Sequence, residues 1–283
     1  MALNNTYNTR LLLHETAVGA GAQILLLALL GTAIGLGPVG WLTGLAFAIA
    51  TWAVLTRALS RTWLHSFGAA NRVTLARATL VGGVTALVAD SFESPPPVTV
   101  LVALTAVALI LDAVDGQVAR RTGTSSSLGA RFDMEVDAVL ILVLSVYVAT
   151  ALGPWVLLIG GMRYAFVAAA RFLPWLRGSL PPSRARKTVA ALQGILLLVV
   201  GSGILPYAVA FATALLALTL LSWSFGRDIR WLWSTRDRQA DEVAALRADR
   251  QPDLRSDLQA ALRRTDHQEE RRTDRQVELQ ARA

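Results

Sequence analysis

The chain has 283 residues, of which 54% are hydrophobic and only 17% charged, and its mean hydropathy is +0.47, too apolar for an ordinary soluble domain. It contains no cysteine, which excludes a disulfide framework, thiolate metal ligands and a cysteine nucleophile. The net charge of +7 does not point to nucleic acid, because the basic residues fall mainly between apolar runs, the distribution that orients a membrane protein.

Taken in chain order, residues 1–16 precede the first apolar run and are read as a cytoplasmic N-terminus. Apolar runs of about the 17–25 residues that cross a bilayer then lie near 17–36, 39–57, 74–90, 97–115, 134–152, 154–172, 188–204 and 205–225. The prediction is therefore an all-α, polytopic membrane protein of about eight spans. The linkers "RALSRTWLHSFGAANR", "RRTGTSSSLGAR", "RFLPWLRGSLPPSRARK" and "GRDIRWLWSTRDR" are rich in arginine, whereas "GLGPVG", "DSFESPPP", "LGP" and "GILP" have neither lysine nor arginine. That alternation places the basic linkers and both termini in the cytoplasm. Trp63, Trp175, Trp231 and Trp233 fit an inner aromatic belt, and Trp41 and Trp155 an outer one. The first run lacks a strongly basic start and a cleavage site, so it reads as a retained helix rather than a signal peptide. Gly31 with Gly35, and Gly40 with Gly44, have the spacing of close helix packing. Residues 227–283 read as a charged, mostly disordered cytoplasmic tail, since they combine many ionisable groups with few apolar ones.

One stretch does not fit a purely structural membrane body. Asp112 and Asp115 are three apart and Asp133 and Asp137 four apart, so each pair lies on one helical face. The pairs stand at the end of one predicted span and the start of the next. Two antiparallel helices would bring them together, and carboxylates so placed must either be partly protonated or be neutralised by cations. An all-oxygen donor set suits Mg²⁺ or Mn²⁺, and a cluster this large has room for two ions. Gly116 and Ala119 leave the same helix face open, Arg120 supplies a forked phosphate donor, and Gly129 opens the facing helix. The spacing thus describes a metal-bound diphosphate pocket beside lipid. A single aspartate, such as Asp90 or Asp228, is better read as an interfacial cap.

The pattern Asp112-x2-Asp115-Gly116-x2-Ala119-Arg120-x8-Gly129-x3-Asp133-x3-Asp137 resembles the signature of the CDP-alcohol phosphotransferases at all of its fixed positions. The resemblance implies a six-helix catalytic core, here about residues 59–226, preceded by two additional helices in 17–58, and usually a homodimer. It also implies transfer of a phosphatidyl group from CDP-diacylglycerol to an alcohol, with release of CMP. Asp112, Asp115 and Asp133 would ligate the metals, Asp137 would be the base for the acceptor hydroxyl and also touch a metal, and Gly116, Ala119, Arg120 and Gly129 would shape the CDP site. Two further segments resemble the family: "ANRVTLAR", with Ala70 where proline is usual and with Asn71 and Thr74 toward the diphosphate, and "SRARKTVAALQG", with Lys187, Thr188 and Gln193 in matching places.

Arg163 lies deep in an apolar run and requires a partner there, an active-site carboxylate or an acceptor phosphate. With Arg171, Arg184, Arg186 and Lys187 it favours an acceptor that carries its own phosphate, such as glycerol 3-phosphate or inositol phosphate. Two other readings compete. An intramembrane prenyltransferase also holds Mg²⁺ and a diphosphate on aspartates, but it places its second motif far along the chain. A cation transporter requires polar groups through several spans, and these spans are nearly all apolar.

Overall fold

The structure is a computed structural model; it describes residues 2–61, 69–122, 127–178, 180–181, 183–236 and 241. Eight long α-helices and no strands occur among the described residues. They are α1 (Ala2–Ile34), α2 (Pro38–Arg61), α3 (Ala69–Asp90), α4 (Val98–Thr122), α5 (Ser127–Leu152), α6 (Leu157–Phe172), α7 (Arg184–Gly201) and α8 (Tyr207–Arg236). Each overlaps one of the predicted apolar runs. Within α2, α3, α5 and α8, and from Pro154 through α6, the helix is long and apolar enough to cross a membrane, and shorter apolar helices cover Val18–Ile34 and Val98–Val114.

Proline and glycine set most of the breaks. Pro38 starts α2 after Gly35, which has φ +72°, a conformation that an L side chain rarely adopts. Gly35 is thus a turn residue rather than half of a packing pair with Gly31. At the next such break Gly153, with φ +102°, leads through a short 3₁₀ turn at Pro154–Val156 into α6. Ser183 caps α7 by accepting a hydrogen bond from the Arg186 backbone N–H at 3.4 Å.

Where such breakers are missing, helices outrun the apolar residues. α1 begins at Ala2 rather than near residue 17, and α8 continues to Arg236. Residues 227–236, assigned above to the tail, are therefore helical, because Ile229, Trp231, Leu232 and Trp233 continue the apolar pattern beyond Gly226 with no proline. The rest of the predicted tail, apart from residue 241, lies outside the described residues.

Met1–Phe172 and Pro181–Gly226 form one compact unit. In it α3 is the central helix, with α1, α2, α4 and α5 packed around it, and α5 also meets α6 and α7. Burial follows that arrangement: 61% of the apolar span of α3 is buried, against 17% for α2. Ala78, Val81, Val84, Leu87, Leu101, Leu140, Leu144 and Leu197 lie in the core. The outward faces remain apolar, with Leu42 and Ile49 on α2 and Tyr207 and Leu216 on α8 exposed, as lipid-facing helices require. Trp41 and Trp155 pack against the core. The second unit contains Leu173–Leu180 and the chain from Arg227 on. There Trp175 meets Trp233 edge to face at 5.2 Å, and the Arg236 guanidinium lies 3.5 Å above the Trp233 ring.

Candidate active site

α4 and α5, consecutive in the chain, both pack on α3, and the aspartates lie toward the C-terminal part of α4 and the N-terminal part of α5. Asp112 stands on the last turns of α4, while Asp133 and Asp137 project one turn apart from the early part of α5. The i, i+4 spacing gives Asp133 and Asp137 a common face. One carboxylate oxygen from each of Asp112, Asp133 and Asp137 lies within 4.8 Å of the others. The three side chains are about one-third exposed, at 34%, 35% and 39%, so the cluster opens to the surface rather than being sealed in the core.

Its back wall is Arg77 of α3, which is 1% exposed. Nη1 donates to Asp112 Oδ1 and lies 3.2 Å from Asp137 Oδ1, and Nη2 donates to Asp133 Oδ1 and to the Asp133 backbone carbonyl at 3.3 Å. One guanidinium therefore joins three helices through the three carboxylates. Arg77 is the principal site residue that the sequence reading passed over. Its signal was present: a cation well inside an apolar helix is functional by default, and Arg77 closes the "ANRVTLAR" segment.

The other predicted site residues differ in where they lie. Thr74 is buried one turn before Arg77, and Gly129 is half-buried one turn before Asp133. Asp115, Gly116, Ala119 and Arg120 on α4, Asn71 on α3 and Arg184 on α7 have side chains outside the described set. Arg163 does have a carboxylate partner among the described residues, and it is Glu135, at 2.5 Å. The reason is helical geometry. Glu135 is two residues from both Asp133 and Asp137, so it leaves α5 on a different side, toward α6. Arg171 and Lys187 are exposed, and Arg186 donates to the Pro181 carbonyl at 3.1 Å. Gln193 is fully buried, with its amide donating to the Ala217 carbonyl at 3.1 Å, so it tethers α7 to α8.

The donor chemistry fits a divalent cation. Three hard carboxylate oxygens converge from two helices, and a positive group already lies among them, showing that the cluster binds cationic charge.

No curated protein and no solved structure matches the chain. The sequence profile described as CDP-alcohol phosphatidyltransferase matches residues 67–223. That stretch includes Arg77, all four aspartates, α3 to α7 in full and the first half of α8. Because the match covers more than half of the chain and contains the whole carboxylate cluster, this protein belongs to the CDP-alcohol phosphatidyltransferase family.

Proposed function

We propose that this chain transfers the phosphatidyl group of CDP-diacylglycerol to a phosphorylated alcohol, glycerol 3-phosphate or inositol phosphate, and releases CMP. The convergence of Asp112, Asp133 and Asp137 within 4.8 Å carries this reading. Together with Asp115 they would hold Mg²⁺ or Mn²⁺, in two sites. Bound there, the ions would polarise the attacked phosphoryl group and stabilise charge on the departing phosphate.

Asp137 accepts the proton of the acceptor hydroxyl. The hydroxyl oxygen forms a bond to the phosphatidyl phosphorus, the bond from that phosphorus to the bridging oxygen breaks, and CMP leaves with that oxygen. Gly116, Ala119, Arg120 and Gly129, with Asn71 and Thr74, line the CDP side. Arg163, Arg171, Arg184, Arg186 and Lys187 supply the acceptor side, where their positive charge favours a phosphate and repels choline or ethanolamine. The enzyme is a homodimer in the cell membrane, with the site and both termini on the cytoplasmic face; the arginine-rich linkers support that orientation.

The test is CMP release by purified protein with CDP-diacylglycerol and Mg²⁺ or Mn²⁺, across glycerol 3-phosphate, inositol phosphate, inositol, serine and phosphatidylglycerol. Release stimulated by one phosphorylated acceptor and lost on chelation is expected. Release only with an uncharged alcohol would refute the acceptor assignment, and none with any acceptor would refute the donor.

A further inference from the structure

The Arg77 guanidinium sits among the carboxylate oxygens that a divalent ion requires, donating to Asp112 and Asp133 and lying 3.2 Å from Asp137. Arg77 is 1% exposed, yet its Nε has no hydrogen-bond partner among the described residues. A buried guanidinium with an orphaned N–H is incompletely satisfied and gains from a ligand with more acceptors. Like charges at such separations repel strongly in a partly desolvated site, so Arg77 and a divalent ion do not share these oxygens at full strength.

We infer that Arg77 is a built-in competitor of the divalent ion for Asp112 and Asp133, and that the donor diphosphate relieves the competition by accepting the displaced guanidinium. The inference rests on the reading of the aspartates as the metal site. It gives the cation a regulatory consequence: the metal binds weakly alone and tightly together with the nucleotide. A metal-only complex is disfavoured. Arg77 is thus a positioning residue for the metal and a binding residue for the donor. It pairs with the carboxylates in one arrangement and with the diphosphate in the other. A purely structural clasp makes the opposite prediction, because its removal would let the carboxylates spread and weaken metal binding.

The experiment measures Mn²⁺ binding to the full-length protein in detergent by electron paramagnetic resonance, with and without CDP, for wild type, Arg77→Lys and Arg77→Met. The expected result is Mn²⁺ binding at least about tenfold tighter in Arg77→Met without CDP, an intermediate change in Arg77→Lys, and a smaller enhancement by CDP in both variants. Arg77→Gln, which retains polar atoms at this position, replaces Arg77→Met if that variant does not fold. Mn²⁺ affinity that is unchanged or weaker in the folded variants overturns the inference while leaving the metal site intact. Absence of Mn²⁺ binding from wild type and variants alike overturns both.

Discussion

Gly160 on α6 offers a sharp test of how closely α5 and α6 must approach. A Cβ at this position would lie 2.5 Å from the Leu142 Cα and 3.0 Å from both Leu142 Cδ1 and Ser145 Oγ. The Leu142 contact is with backbone, so no rotamer change relieves it, and the helices must separate by about 1 Å to reach an ordinary carbon–carbon distance. Overpacking of this kind costs about 1–3 kcal/mol. Gly161, the next residue, has nothing within 4 Å of its would-be Cβ. Gly161→Ala is therefore the matched control, with an expected effect of about 1 kcal/mol or less, toward stabilisation. Thermal unfolding of the two variants in the same detergent reads the difference, at about 2–4 °C for each kcal/mol in a chain of this size. Activity follows for Gly160→Ala, because α5 and α6 also carry the Glu135–Arg163 pair. If Gly160→Ala unfolds at the same temperature as Gly161→Ala, the close α5–α6 contact described above is wrong.

Two further substitutions separate roles within the site. Asp137→Asn removes the proposed base and should abolish CMP release while metal-dependent binding of the CDP-lipid survives; simultaneous loss of that binding would assign Asp137 to the metal alone. Glu135→Gln frees Arg163 from a pair whose side chains are 54% and 33% exposed, so stability should change by less than about 1 kcal/mol. Steady-state kinetics should show a lower KM for a phosphorylated acceptor at constant kcat, and a higher KM or a large loss of stability would make the pair structural instead.

The helices were legible because each is an apolar run bounded by proline, glycine or arginine, and lipid imposes a length that a soluble core does not. Their ends were less so. The run in α1 starts near residue 17, but the polar residues before it include no breaker, so the helix extends back to Ala2. The proximity of Asp112 to Asp133 and Asp137 was readable from spacing because only a short segment separates α4 from α5. Arg77 escaped for the opposite reason: its partners are 35 and 56 residues away, and periodicity within one helix carries no record of such contacts. Glu135 was hidden by its neighbours. Between two aspartates of a recognisable motif it reads as filler, and only the packing of α6 on α5 gives it a separate partner in Arg163.

The cluster also has an order of assembly written into it. Arg77, Asp112, Asp133 and Asp137 all come from the continuous stretch α3–α4–α5, so the chain that builds the cluster is complete before α6 is synthesised. Contacts of modest sequence separation close quickly, and segments made first fold first. Arg77 thus holds Asp112, Asp133 and Asp137 together while the nascent protein is still entering the lipid, and the last three helices assemble around a centre already joined by its ion pairs.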